Sequence, residues 1–168
     1  MKKLLFLLLA VCLIGFLAGC DGGGGGSDDN GGNGGNGSNG GGATSNTYVL
    51  SNLNDESYIT GVTQVAGGIR GTLVSNGHII EMLQTITLNP ADNTFTWYLK
   101  TTDITAASVD ENDTYYGTMV LNGSSLTLTT NKWKNNDTSV ETAVGPWDDV
   151  FTVSDSAIVE GTETFTKQ

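Results

Sequence analysis

Two Asn-Gly doublets, Asn76-Gly77 and Asn122-Gly123, each stand between runs in which apolar and polar residues alternate. Both central residues of a type I′ turn need positive φ, and Asn-Gly supplies it at the least cost, so each doublet predicts a tight β-hairpin. Asp155-Ser156 marks a weaker third turn, and 89–93, Asn-Pro-Ala-Asp-Asn, a longer loop in which Pro90 presets the bend. Between these breaks nine extended segments are expected: 48–50, 58–66, 69–75, 78–88, 94–102, 114–121, 125–133, 149–154 and 157–167. No stretch sustains a 3.6-residue period, so helix is nearly absent. The 125 residues of 44–168 suffice for one core and are too few for two.

Alternation then assigns an interior. Phe95, Trp97 and Leu99 share one face of their segment, with Thr94, Thr96, Tyr98 and Lys100 on the other. Ile80, Met82, Ile86 and Leu88 share a face that Gln84 interrupts, while Ile79 and Leu83 lie opposite, which predicts a strand covered on both sides. Tyr115, Met119 and Leu121, Leu126 and Leu128, and Phe151 and Val153 complete the interior. Consecutive hairpins so patterned predict an all-β fold, a single antiparallel meander barrel, with a β-sandwich as the alternative. The heptapeptides 71–77 and 117–123 agree at five positions, as repeated hairpins would.

The second half, from Tyr116-Gly117-Thr118-Met119-Val120-Leu121-Asn122-Gly123 through Leu126-Thr127-Leu128-Thr129 to Phe151-Thr152-Val153-Ser154 and Thr164-Phe165-Thr166-Lys167, resembles the lipocalin-like domains of bacterial lipoproteins. The resemblance implies a small barrel able to bind an apolar molecule. The residues that would line its cup, or fill its core, are Ile80, Met82, Phe95, Trp97, Leu99, Tyr115, Met119 and Phe151.

The N-terminal region supplies an address. Lys2 and Lys3 precede 15 uncharged residues, 4–18, and Leu17-Ala18-Gly19-Cys20 follows. A spanning helix needs about 20 apolar residues, so the run reads as a cleaved export signal. Residues 1–20 resemble a lipoprotein signal peptide ending in a lipobox, which implies cleavage after Gly19 and acylation of Cys20. The expected organisation is a signal peptide over 1–19, a lipidated Cys20 with a flexible linker over 20–43, and an all-β domain over 44–168. Residues 21–42 hold 13 of the 24 glycines and no apolar side chain, the composition of a random coil spanning about 25 Å. Asp21 leaves the choice between inner and outer membrane open.

Composition excludes several chemistries. Once Cys12 leaves with the signal, Cys20 is the remaining cysteine, and its sulfur would carry lipid; disulfides, thiol nucleophiles, zinc–cysteine sites and iron–sulfur clusters are therefore not expected. All 18 acidic residues but only five of the seven basic ones follow Cys20, a net −13. Such a surface repels phosphate backbones and anionic headgroups, so nucleic acid is not an expected partner.

Catalytic constellations do not assemble either. His78, the sole histidine, follows a turn and reads as solvated, and Asp148-Asp149 reads as a solvated strand start, because strand neighbours point to opposite faces. Asp110-Glu111-Asn112-Asp113 offers oxygens in the manner of a calcium loop but matches no full motif, and a solvated turn is the simpler reading. Trp133 and Trp147 flank a polar loop, where paired aromatics either stack on a sugar ring or cap the end of the barrel. The expectation is a non-enzymatic, cofactor-free cell-envelope lipoprotein, held at a membrane by its anchor, whose barrel binds a small apolar ligand. The alternative is a structural or adhesion domain with a packed core.

Overall fold

A computed structural model describes residues 45–168; the expected signal peptide over 1–19, Cys20 and the expected linker over 20–43 lie outside the described residues. Ten strands follow one another: β1 (Asn46–Leu53), β2 (Ile59–Val65), β3 (Gly68–Leu73), β4 (Ile79–Asn89), β5 (Thr94–Asp103), β6 (Ser108–Asn122), β7 (Ser125–Asn135), β8 (Glu141–Val153), β9 (Ala157–Glu160) and β10 (Glu163–Lys167). All neighbours are antiparallel. The ring runs β1-β10-β9-β8-β7-β6-β5-β4 and returns from β4 to β1, a closed eight-stranded meander barrel. The barrel is the expected fold, and the sandwich alternative is set aside.

Closure divides β4 between two partners. Its half Thr85–Leu88 pairs with Asn46–Val49 of β1, and its half Ile79–Leu83 pairs with Gly68–Thr72 of β3. At the junction the Gln84 N–H donates to the Gly67 carbonyl at 3.1 Å. The β2–β3 hairpin is thus a flap that continues the wall where β1 leaves β4 for β10.

The segments lie where alternation put them, with instructive differences. The expected strand over 157–167 is two strands, split at Gly161, whose φ is +57°. Asp110–Asp113, read as a turn, is part of β6. The second doublet turns one residue later than expected: Asn122 pairs with Ser125, so Gly123 and Ser124 are the central residues and only Gly123 has positive φ, +61°. That fits the glycine-first pattern of a type II′ turn. At the first doublet, β3 ends at Leu73 and β4 starts at Ile79, Gly77 alone has positive φ, and its N–H donates to the Leu73 carbonyl at 2.9 Å. It is a wider loop than a two-residue turn.

The interior is one contiguous cluster. Leu50, Ile69, Ile80, Ile86, Phe95, Leu126, Leu128, Phe151, Ile158 and Phe165 are fully or almost fully buried. Trp97 sits among them, its ring 5.9 Å from Phe151 and 6.1 Å from Phe165, both edge-on, and these two rings meet each other at 6.1 Å. Edge-to-face pairing adds about 0.5–1.5 kcal/mol per pair to the burial itself. Gly117 makes room for this cluster: a Cβ there would collide with the Thr129 carbonyl and meet the Phe95 ring at 2.9 Å. Strand β4 is covered on its inner face only. Gln84 belongs to that face, buried, where its Oε1 accepts the Trp97 indole N–H at 3.3 Å, while Ile79 is exposed and Leu83 half-buried.

Candidate functional site

The barrel has two ends of opposite chemistry. At the proximal end, where β1 begins, the β4–β5 loop and the β6–β7 and β8–β9 turns surround a cleft of about 300 Å³. Its walls are mainly apolar: Tyr48, Leu88, Pro90, Met119, Leu121, Leu126 and Val153, with Asn46 and Asn93 polar at the rim. Leu121 is 57% exposed, and Val120 beside it is exposed too. The cleft lies at the low end of the volume range of small-molecule sites. Its floor is the packed interior.

The eight residues expected to line a cup do come together, but as core. Ile80, Met82, Phe95, Trp97, Met119 and Phe151 are buried in the cluster, and Leu99 and Tyr115 pack against it half-buried. Of the eight, Met119 alone also borders the proximal cleft. A second cleft, about 490 Å³, opens beside the flap between the end of β1 and β2; Leu53, Ile59 and Val62 share it with Asn52, Asn54, Glu56 and Thr60.

At the distal end the interior turns polar. Bulges at Tyr116/Gly117 on the β6–β7 pair and at Thr130/Lys132 on the β7–β8 pair mark the change. Residues directly opposite share a face, so Tyr115 and Trp133 face inward together, as do Leu99, Asp113 and Asn135. The Tyr115 ring contacts Trp97 at 6.5 Å on one side and Trp147 at 6.1 Å on the other. Trp133 and Trp147 therefore belong to the cap of this end. Glu111, two residues before Asp113, accepts from the Tyr115 hydroxyl at 3.5 Å. Asp149, read as solvated, is only 2% exposed, because it lies two residues before Phe151 on the inner face of β8.

Desolvation dominates the electrostatics there. Burial, with help from the neighbouring Asp113 charge, pushes the Glu111 carboxyl up to about 7, against the opposing Tyr115 hydrogen bond. Burial also raises Asp113, although Trp133 and Asn135 donate to it, and raises the Tyr115 phenol, which faces both carboxylates. The ion pairs Arg70–Glu81 and Lys132–Glu141 involve neither carboxylate and lie on partly exposed side chains. Among the described residues neither Glu111 nor Asp113 has a lysine or arginine at ion-pair distance.

Around the distal rim the loops are pinned. Asn136, from the β7–β8 loop, donates to Thr114 Oγ1 at 2.9 Å, and Asn112 donates to Asp137 at 2.6 Å. His78, expected in solvent, is half-buried with its Nδ1 2.6 Å from Asp103, which also accepts the Ala106 N–H at 2.8 Å. These bonds lower the Asp103 pKa, the His78 contact first. The pair ties the β3–β4 loop to the β5–β6 turn. Among the described residues no three His, Cys, Asp or Glu side chains converge as a metal site requires.

Alternation carried further would have found the inward carboxylates. The period of two that puts Tyr115 and Met119 inside also puts Asp113 and Glu111 there, and the period that buries Phe151 buries Asp149. Comparison of the chain with protein-family models, curated proteins and solved structures finds no match.

Proposed function

We propose that this protein is a lipid-anchored cell-envelope lipoprotein whose lipocalin-like barrel takes a small apolar ligand at its proximal end. The observation that carries the reading is the apolar cleft bordered by Tyr48, Leu88, Met119, Leu121 and Leu126. The first strand of the barrel begins at Asn46, on the rim of this cleft. Charge supports the same arrangement. Asp55, Glu56, Asp103, Asp110, Asp137 and Glu141 surround the distal end, and only Asp92 and Asp155 stand at the proximal loops, which keeps most of the negative charge away from anionic headgroups.

The ligand sits on the packed core rather than within it, and the site accommodates a short acyl chain or a single ring. An apolar fluorescent probe titrated into the full chain tests this. Leu121→Asp, at an exposed rim position that the fold does not need, is expected to weaken the probe at least tenfold; unchanged binding would remove the cleft from consideration. Loss of acyl labelling and of membrane retention in Cys20→Ser tests the anchor in the same preparations. A second reading, a packed structural or adhesion domain without a ligand, is favoured by the edge-on aromatic cluster that fills the lumen. It predicts no saturable probe binding at all.

A further inference from the structure

We propose that the ligand of the proximal cleft is an aliphatic carboxylate, its chain on the apolar walls and its head held between the Tyr48 hydroxyl and the Lys167 ammonium. The proposal rests on the reading of that cleft as the ligand site and adds the class of ligand.

Two observations beyond the apolar walls point to a head group. First, Tyr48 borders the cleft and is only 5% exposed, yet its hydroxyl has no hydrogen-bond partner among the described residues. A buried phenol ordinarily bonds through its O–H, and this one is left to whatever occupies the cleft.

Second, Lys167 stands directly opposite Tyr48 in the β1–β10 pair. Directly opposed residues share a face, with Cβ atoms about 4.5–5.5 Å apart, and Phe165, two residues before the lysine, is fully buried on that face. The Lys167 N–H donates to the Ser156 carbonyl at 2.8 Å, which fixes the position beside the β8–β9 turn. Around the rim β4 supplies Leu88, β6 Leu121, β7 Leu126 and β8 Val153, whereas β10 supplies an exposed lysine. Arg70, Lys100, Lys132 and Lys134 all lie in the distal half of the barrel. Among the described residues no carboxylate is at ion-pair distance from the Lys167 ammonium. Asp92, at the same end, is engaged with its own loop, accepting from the Thr94 hydroxyl at 2.6 Å and the Thr94 N–H at 3.3 Å.

Geometry makes the two groups one site. Tyrosine and lysine side chains are of similar length, and from opposed positions on one face their polar tips reach a single carboxylate, one oxygen each. The hydrogen-bond inventory selects that anion. The phenol and the ammonium both donate, and a singly charged group with two acceptor oxygens answers both. A phosphate monoester would bring a second negative charge to an end that holds Asp92 and Asp155 and has one cation to offer. An amine would be repelled by Lys167, and a neutral alcohol leaves the ammonium unanswered.

Titration calorimetry of the full chain with octanoate and with n-octanol, at neutral pH and fixed ionic strength, tests the proposal. A cleft that recognised the chain alone would prefer the alcohol, because a carboxylate must shed water to enter. Octanoate is instead expected to bind saturably and at least threefold more tightly than n-octanol. Lys167→Gln should weaken octanoate at least tenfold and n-octanol less than twofold, and Tyr48→Phe should weaken octanoate three- to tenfold. Lys134→Gln, which removes the same charge from the distal end, should change octanoate less than twofold. Near-ultraviolet circular dichroism checks that Tyr48→Phe keeps the aromatic cluster, and Lys167→Gln, at an exposed position, decides where it does not. Saturable n-octanol without saturable octanoate, octanoate unmoved by Lys167→Gln, or Lys134→Gln as damaging as Lys167→Gln would overturn the carboxylate and leave the cleft standing. Failure of both ligands to bind would remove the cleft and the proposal together.

Discussion

The proximal and distal ends of this barrel are built from the same strands and yet solve opposite problems. Proximally, Leu88, Met119, Leu126 and Val153 extend the core to the surface and leave an apolar cleft that water covers poorly. Distally, the same inner faces of β6, β7 and β8 switch to Glu111, Asp113, Thr130 and Asp149, and aromatic rings shield the polar groups from water. The lesson is that an eight-stranded barrel need not be a cup to carry a different chemistry at each end. A solid middle lets each end acquire its own chemistry, because neither has to accommodate what enters the other.

The Trp97 cluster is the septum on which that separation depends, so its removal is the largest expected effect. Trp97→Ala would take away the ring that touches Phe151, Phe165 and Tyr115 and leave the Gln84 Oε1 without the indole donor. A loss of about 3–5 kcal/mol is expected, read as a shift of the denaturation midpoint. Stability close to that of the parent would mean that the middle is not packed and that the two ends communicate.

The distal end is next, and its signature is pH dependence. Glu111 has a folded-state pKa raised from 4.5 to about 7, so between those values the folded chain holds a proton that the unfolded chain has released. Stability from this group is therefore fully present below pH 4.5 and falls as pH rises through 7, by an upper bound of about 3 kcal/mol. Asp113, also raised by burial, adds to the same trend, and the lowered Asp103 opposes it at more acidic pH. Glu111→Gln should flatten the fall and make the chain more stable than the parent at pH 8. A parallel pair of pH–stability curves would show that the distal carboxyl is solvated and that the ends differ less than described.

How much of this was legible in the sequence follows from the physics of alternation. Phe95, Trp97, Met119 and Phe151 were readable as interior because apolar residues two apart on a strand announce a buried face. Glu111, Asp113 and Asp149 were not, because the same rule treats an acidic residue as a sign of solvent, and only their phase relative to Tyr115 and Phe151 says otherwise. The meeting of Tyr115 with Trp147 was beyond reach, since it depends on bulges at Gly117 and between Thr130 and Lys132 that no local pattern advertises.

The smallest effect belongs to a proximal turn. At Gly123 a Cβ would meet nothing within 4 Å, so the cost of Gly123→Val is backbone strain at φ +61° alone, about 1 kcal/mol or more. Because the turn borders the apolar cleft without lining it, the proximal probe affinity should be unaffected. An unchanged midpoint would show that the turn is not held in the left-handed region.

The division of β4 between two partners has a consequence in time rather than in space. β1 is synthesised before every strand it joins, and Ser51 waits for the Thr164 carbonyl, 113 residues further on, before its hydroxyl can bond. Hairpins β4 to β8 can form as they emerge, each from neighbours a turn apart, but the ring stays open until β10 arrives. Through that interval the edge of β1 that will meet β10 is bare, and its outward Thr47, Val49 and Asn52 are mostly polar, a modest guard against pairing with the wrong chain. The first strand made is therefore the last to be completed.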